Sequence, residues 1–588
     1  MIIIDIETQK RYEILPKKAG ENDMICPVCS ADRKKKNAKT FRWNAEKRVG
    51  TCLHCNATFK AENKMHQTAP KQYFRPQWKN RTNLTDVAVK IFERRGISQG
   101  TLKKMKIYSD REFMPQHNKE CEVICFPYFI ENELINVKYR AGGKTFKMVK
   151  DAELIFYNFN CIADNQEIII CEGEFDALTF IECGFPNAIS VPNGAGAIDL
   201  TYLDNYIDNF EHVKTFYIAS DFDEPGIKLR NELVRRLGYE RCKIVTYNGC
   251  KDANELLCKE NRFAVERAIR EAREVPMIGA YSFEDIDEAF EKFYMNGVSR
   301  GTEMGISEID ECLRWETGRL AVWTGIPSHG KSAFVDFVSV KMNIRHGWKT
   351  LFYSPENHPL ETHLEKMAKL LSGKEVSQWT FTREERDKVV RYIWDNFYIL
   401  IPHENTTHET ILERAKMYVK KCGIKQLVID PYNCLEHKYS ALDGETKYIS
   451  RFLDDLTRFA KQYDILIHLV AHPRKITEKP INDKEKGANV PSMYDIAGSA
   501  HFHNKADFGI CVYRDFTKNI TQFIPLKVRF SNLGKPNKDG INLVYNLNNG
   551  RYNLPFCEPD NSNWLNGTTT QTDWTQTTEQ LEDMPVFP

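Results

Sequence analysis

The segment Gly325-Ile-Pro-Ser-His-Gly330-Lys331-Ser332 constrains this chain more than any other. It follows the apolar run Ala-Val-Trp-Thr and opens a helical pattern. In that setting backbone N–H groups cradle phosphates, Lys331 reaches the β and γ oxygens, and Ser332 coordinates Mg²⁺. Gly325, Ser328 and Gly330 shape the loop. ATP or another NTP or dNTP is the expected ligand. Such a loop needs a sheet behind it, and between residues 305 and 550 the runs RLAVWTG, KTLFYS, QLVID, ILIHLVAH and FGICVYRD read as buried strands. Polar residues follow these strands in order. Glu356 is placed to activate a water, Asp430 to hold the metal through water, and His472 to sense the γ-phosphate, a structural histidine being the plain alternative for His472. Lys527 and Arg529, in Leu-Lys-Val-Arg-Phe, look like a finger for a neighbouring subunit's site.

A second α/β pattern precedes the first. From residue 167, continuous apolar strands alternate with helices and end in acids: Glu172, with Asp176 one turn into the next helix, then Asp221 and Asp223, then Asp252. Carboxylates at the C-terminal ends of parallel strands converge on one crevice. Their crowding is costly unless divalent cations sit among them. Glu172, Asp221 and Asp223 are therefore expected to hold Mg²⁺, and two such ions align a 3′-hydroxyl with an incoming triphosphate. Lys138, Arg140, Lys144 and Lys147 lie just upstream, around a hairpin at Ala141-Gly142-Gly143, where each can neutralise phosphate charge.

Four of the 17 cysteines are paired by spacing, Cys26 with Cys29 and Cys52 with Cys55. Four thiolates suit a closed tetrahedral Zn²⁺ site with Zn–S near ~2.3 Å, a structural metal with no open position. The net charge of +1 hides an asymmetry. Residues 1–150 carry 31 Lys and Arg against 16 Asp and Glu, or +15, and the remainder 51 against 65, or −14. The basic first quarter points to an anionic partner, usually nucleic acid, a solvated surface being the alternative; a zinc ribbon with such a basic face would read single-stranded DNA. No apolar run approaches the ~20 residues of a membrane span, and MIIIDIETQK carries acids in its apolar stretch, so no secretory signal is expected. The last 33 residues hold six acids and no Lys or Arg, and read as disordered.

Glu172-Gly-x-x-Asp176 followed by Asp221-x-Asp223 resembles the Toprim fold of primases and type I/II topoisomerases. The basic residues 138–147 resemble the primase basic subdomain, where they bind nucleotide and template. Lys331, Glu356, Asp430 and His472, in that order, resemble the hexameric RecA-like replicative helicases. In that family the loop after His472 binds DNA, which assigns Arg474, Lys475, Lys479, Lys484 and Lys486 to the strand in the ring's channel. Zinc ribbon, Toprim region and motor in one chain resemble the bifunctional phage primase–helicases, relatives of the mitochondrial replicative helicase, over roughly residues 20–550.

The resemblance implies a multidomain α/β protein: a zinc ribbon (1–60), a linker (61–80), a primase polymerase domain (81–260, basic part 81–160, Toprim part 165–256), a linker with a subunit-docking helix near 282–296 (261–300), a RecA-like helicase domain (301–555) and an acidic disordered tail (556–588). It implies RNA primer synthesis, 5′→3′ unwinding of the replication fork by a ring of six or seven subunits, the replicative DNA polymerase held by the tail, no membrane, and a cytoplasmic location in a phage's host. Departures are a long, basic gap between the cysteine pairs, a MIIIDIE segment of no evident role, and HisProArgLys after the motor's last polar strand. The last is closer to the mitochondrial relative, which has lost priming. The rival reading is a helicase alone, with the front half kept to bind DNA, and loss of a metal-site acid would mark it. None is lost, so priming is expected. A topoisomerase or nuclease needs a nucleophilic Tyr in a separate winged-helix region or a nuclease-type set of acids, and neither is evident.

Overall fold

The computed structural model describes residues 2–5, 10–14, 21–30, 33, 35–44, 49–55, 57–61, 73–77, 83–194, 200–275, 290, 293–295, 297–357, 359–401, 406–436, 444–474, 490–496 and 500–566. The chain divides into two compact units, Met1–Phe74 and Arg75–Pro588.

The first unit is one antiparallel sheet in the order Arg11–Glu13, Ile2–Asp5, Thr58–Ala61, Val49–Cys52, Phe41–Asn44, Glu21–Met24. Strand alternation turns Phe41 and Trp43 inward and Arg42 outward. With Ile14 and Phe59 they make a small core that includes Cys26 and Cys52. The opening MIIIDIE segment has a structural role after all. Its strand Ile2–Asp5 pairs with both Arg11–Glu13 and Thr58–Ala61, extending the sheet.

The second unit begins with helices Asp86–Arg94 and Gln99–Lys104, parted at Gly96 (φ 70°). Beyond the second helix, Tyr108–Met114 already belongs to a sheet. That sheet is antiparallel, with Lys119–Ile130, Glu133–Arg140 and Phe146–Met148. Ile124, Phe126 and Tyr128, alternate residues on one face, share a core with the next sheet. There Ala188–Ser190, Glu167–Cys171, Thr215–Ala219 and Cys242–Ile244 run parallel, and Arg273–Glu274 closes the edge antiparallel.

A nine-stranded sheet follows. Phe397–Leu400, Thr350–Tyr353, Gln426–Ile429, Leu466–Val470, Arg319–Thr324 and Phe508–Asp515 are parallel. Ile520–Val528, Ile541–Tyr545 and Tyr552–Asn553 continue it antiparallel. Both faces are covered: Trp323 and Phe352 enter one core, and Leu320, Val322 and Leu351 the other. Continuous apolar strands are what two covered faces demand.

The acidic tail starts later than its composition predicts. Residues 556–566 are folded back, because Arg551, fully buried, donates to Leu370 O at 2.9 and 2.7 Å and to Asp560 O at 2.9 Å. Trp564 lies 3.7 Å from its guanidinium carbon. Residues 567–588, and the expected docking helix apart from 290 and 293–295, lie outside the described residues.

A polar chain crosses the nine-stranded sheet. Trp323 Nε1 donates to His468 Nδ1 at 3.1 Å, and His468 Nε2 meets Gln426 Oε1 at 3.3 Å. Gln426 Nε2 donates to Thr350 Oγ1 at 2.9 Å. Burial brings His468 down to about 3. Its unfolded value is about 6.5, so its contribution to stability is complete above pH 6.5 and is lost as pH falls toward 3, by up to about 1.4 kcal/mol per pH unit. We expect the urea midpoint of His468→Gln to fall less steeply than that of the parent between pH 6.5 and 4.

Candidate metal centre and nucleotide sites

In the first unit the sulfurs of Cys26, Cys29, Cys52 and Cys55 lie within 4.8 Å of one another. Cys26 to Cys55 and Cys29 to Cys52 are each 3.8 Å. A tetrahedron with Zn–S of ~2.3 Å has edges of ~3.8 Å, so the quartet fits zinc as it stands. Burial pushes the Cys29 thiol up to about 12. Burial opposes ionisation of Cys52 too, yet the Thr40 hydroxyl and the N–H groups of Cys55 and His54 bring it down to about 6. Lys35, Lys36, Lys39 and Arg42 are exposed around this centre, whereas Arg33 is buried and donates to Ala38 O at 2.5 Å.

The second unit gathers the acids as strand order requires. Glu172 directly follows Glu167–Cys171, and Asp176 lies in the first turn of helix Glu174–Glu182. Asp221 follows Thr215–Ala219. Asp223 caps helix Glu224–Leu237 by accepting from Gly226 N at 3.0 Å, and Asp252 caps Ala253–Lys259 by accepting from Glu255 N at 2.7 Å. Burial, then Asp252 and Asp221, holds the Asp176 carboxyl well above its usual range. Burial pushes Asp221 up to about 6 despite Lys251. Lys251 Nζ stands 3.2 Å from Asp221 and 3.3 Å from Asp223, doing in part what a metal would do in full. The donor set, all carboxylate, fits hard Mg²⁺.

Facing Glu172, Asp176 and Asp221 across one pocket are Lys138, Arg140 and Phe146. Register explains which basic residues arrive. Phe146 pairs with Arg140 and Met148 with Lys138, so these side chains share a face. Lys147, paired with Tyr139, points the other way and binds Glu112 at 2.9 Å. The side chain of Lys144 lies outside the described residues. Lys138 is buried and bonded to Glu174 at 2.8 and 3.1 Å, with Tyr128 OH donating to the same carboxylate at 2.5 Å. Arg140 and Arg95 both lie over the Phe175 ring, at 4.6 and 4.5 Å, and burial brings Arg140 down to about 10. Sequence reading missed Glu174, Tyr128, Lys251 and Arg95. Glu174 and Lys251 adjoin the acid motifs, which was the available signal. Arg95 gave none.

The third centre lies where Arg319–Thr324 ends between two parallel neighbours. Gly325 has φ 142°, and a Cβ there would meet Val512 O at 2.2 Å. Ser328 and Gly330 are also left-handed, at 66° and 92°. Lys331, buried, donates to Gly325 O and Ile326 O at 2.9 and 3.2 Å. Ser332 hydrogen-bonds Asp430; burial, with Asp336 and Glu356 nearby, pushes the Asp430 carboxyl up to about 6. The Cys434 thiol donates to Glu356 at 3.8 Å. Burial and Lys331 lower His472. His329, also unremarked in the sequence, accepts from Arg514 N at 2.9 Å and lies beside Tyr513 and Phe516. Lys527 and Arg529 brace the end of helix His501–Lys505: Lys527 donates to His503 O, and Arg529 to Asn504 O and to Asp507 at 3.0 Å. Arg474 is exposed, its N–H donating to Asp495 O at 2.7 Å. Lys475, Lys479, Lys484 and Lys486 lie outside the described residues.

Family models match both regions, "Toprim-like" at residues 169–257 and "DnaB-like helicase C terminal domain" at 301–534. The chain joins a Toprim-like domain to a DnaB-like helicase domain. It is 33% identical over 467 residues to the "Twinkle homolog protein, chloroplastic/mitochondrial" of Arabidopsis thaliana, covering 74% of this chain and 64% of that one. It is 33% identical over 213 residues to the "Primase homolog protein" of the same plant, covering 33% and 61%. The chain thus spans somewhat under two thirds of the length of these relatives. Among solved structures it is similar to "The Structure Of A DnaB-Like Replicative Helicase And Its Interactions With Primase", at 18% identity and a TM-score of 0.37 over 49% of this chain and 70% of that one. Among the described residues no helix is long and apolar enough to cross a membrane.

The strand parity of the basic sheet makes a prediction. In a Lys331→Ala background, which removes the lysine of the glycine-rich loop, we expect Arg140→Ala to weaken nucleotide binding at the acidic pocket by about tenfold, the scale of one charge-assisted contact. Lys147→Ala leaves it unchanged. Fluorescent-nucleotide titration reads both.

Proposed function

We propose that this chain is a replicative DNA primase–helicase. One observation carries the reading: a single chain holds two polar centres of different chemistry, a carboxylate pocket faced by Lys138 and Arg140 and a glycine-rich loop whose Lys331 lies beside Asp430 and Glu356. Glu172, Asp221 and Asp223 in one, and Ser332 with Asp430 in the other, would hold Mg²⁺, which would supply positive charge against the triphosphate. The protein's groups do the remainder. Lys138 and Arg140 orient the incoming triphosphate and template beside the acids, with Asp176 and Asp252 completing the set. At the motor site Lys331 holds the phosphates and Glu356 takes the proton of the attacking water. His472, neutral and close to Lys331, reports on the γ-phosphate.

The reading extends to assembly. In a ring of six or seven subunits Lys527 and Arg529 would leave their carbonyl partners and reach a neighbour's triphosphate. Arg474 and the lysines that follow it would grip one strand as the ring moves 5′→3′. The cysteine quartet would hold structural zinc and present Lys35, Lys36, Lys39 and Arg42 to template, and the acidic tail would hold the polymerase. The location proposed is the cytoplasm, although the plant relative is named for organelles.

Two experiments test this. Given single-stranded DNA of mixed sequence, labelled ribonucleotides and Mg²⁺, the protein makes short RNAs. Asp221→Ala abolishes them and spares DNA-stimulated NTP hydrolysis, whereas Lys331→Ala removes that hydrolysis. No RNA with hydrolysis intact would leave a helicase carrying a DNA-binding front end. For the cysteine centre, elemental analysis finds one zinc per chain and Cys52→Ser none. The variant unfolds the first unit, since structural zinc contributes on the order of 10 kcal/mol to folding.

A further inference from the structure

Helix Glu224–Leu237 belongs to the Toprim-like half, yet its last turn is buried against the helicase half. The side chains of Arg235 and Arg236 are 4% and 2% exposed. Arg236 donates to Lys420 O at 3.1 Å from both Nε and Nη2, and to Lys421 O at 2.9 Å. Arg235 donates to Ile424 O at 3.0 Å and to Tyr463 O at 3.3 Å. Lys420 and Lys421 lie in the last turn of helix His408–Cys422, and Tyr463 ends helix Gly444–Tyr463. The last carbonyls of a helix have no partner within it and carry the negative end of its dipole. Two adjacent guanidinium groups of one half therefore cap two helices of the other.

Carboxylates complete the joint from the Toprim-like side. Glu232 binds Arg235 at 2.5 Å and reaches Lys425 at 3.3 Å. Asp204 binds Arg236 at 2.5 Å and Lys349 at 3.0 Å. Each charge buried here meets a partner of opposite sign or a carbonyl, the condition under which burying charge is tolerable.

The same helix starts at the acidic centre. Asp223 is its cap, and a Cβ on Gly226 would come within 2.3 Å of Asp221 O. Its 14 residues make a rod of about 21 Å. At the far end, Ile424 and Lys425 lead directly into strand Gln426–Ile429, whose next residue is Asp430.

We infer that helix Glu224–Leu237 is a strut that fixes the Toprim-like half on the helicase half of its own chain and couples the acidic pocket to the nucleotide at Lys331. The coupling rests on the reading of the two centres given above; the docking does not.

Docking is tested on the full-length parent protein. Carbodiimide cross-linking, which joins only carboxylates and amines already in contact, should link Lys349 to Asp204. In assemblies mixed from light- and heavy-nitrogen chains, the linked peptides should be all light or all heavy. No link, or links only of mixed mass, would overturn the docking. Coupling is tested by hydrogen exchange with a non-hydrolysable ATP analogue and Mg²⁺. Coupling energies of the usual size correspond to factors of about 5–150, so amides of the strut should exchange at least ~5-fold more slowly with the analogue bound, and by less than ~2-fold in Arg236→Ala. Lys331→Ala should abolish the effect. Lys349→Glu, at the half-buried edge of the joint, serves if Arg236→Ala does not fold, and should weaken the effect in the same way. Unchanged exchange in the parent with the analogue bound would overturn the coupling. Failure to make primers, with the cross-link present, would overturn the priming reading and leave the docking intact.

Discussion

In both α/β halves the central strands pair in parallel and in register, Glu167–Cys171 with Thr215–Ala219 and Arg319–Thr324 with Leu466–Val470. Their carboxyl ends therefore finish side by side, and helices Glu174–Glu182, Glu224–Leu237 and Lys331–His346 begin close behind three of the four. Helix starts offer unpaired N–H groups and the positive end of a dipole, so anions and acidic caps settle there. Glu172, Asp221 and Asp252 in one half, and Gly325, Asp430 and His472 in the other, occupy such ends. Both faces of each sheet are covered by apolar packing. The ends are what remains for polar chemistry.

The two centres hold opposite electrostatic tension. In the acidic pocket burial pushes Asp176 and Asp221 upward, the Asp252 carboxylate adds to both, and Lys251 offsets the crowding at Asp221 only partly. Around the phosphate loop Lys331 turns back on the carbonyls of its own loop. The carboxylates of the first centre crowd one another, whereas the second sets the buried Lys331 beside Asp430 and Glu356. That difference follows from what the strand ends carry, carboxylates in one half and a lysine held by a glycine-rich loop in the other.

Much of this was legible in the sequence, because strand ends announce themselves: an apolar run followed by an acid or by a glycine-rich loop is a local pattern. The acids at 172, 176 and 221 and the basic residues 138 and 140 were read from such patterns and share one pocket. Pairing register was not legible. Lys147 had the same charge and neighbourhood as Lys138, and one step in strand parity set it on the opposite face. Composition also misled at 556–566, where an acidic stretch folds because a distant buried arginine binds it. Partners far apart in sequence, such as Arg235 with Ile424 or Arg95 with Phe175, leave no local mark at all.

Asp223 and Asp252 each give one oxygen to a backbone N–H at the start of a helix while standing at the acidic centre. A helix cap requires a short side chain, and a cation requires a charged one. Asparagine would keep the first property and glutamate the second. Glu172 precedes a helix capped by Gly173 and carries no such duty, so the longer acid is admissible there. At 223 and 252 the choice of aspartate over glutamate is thereby set by the helix that each residue also begins.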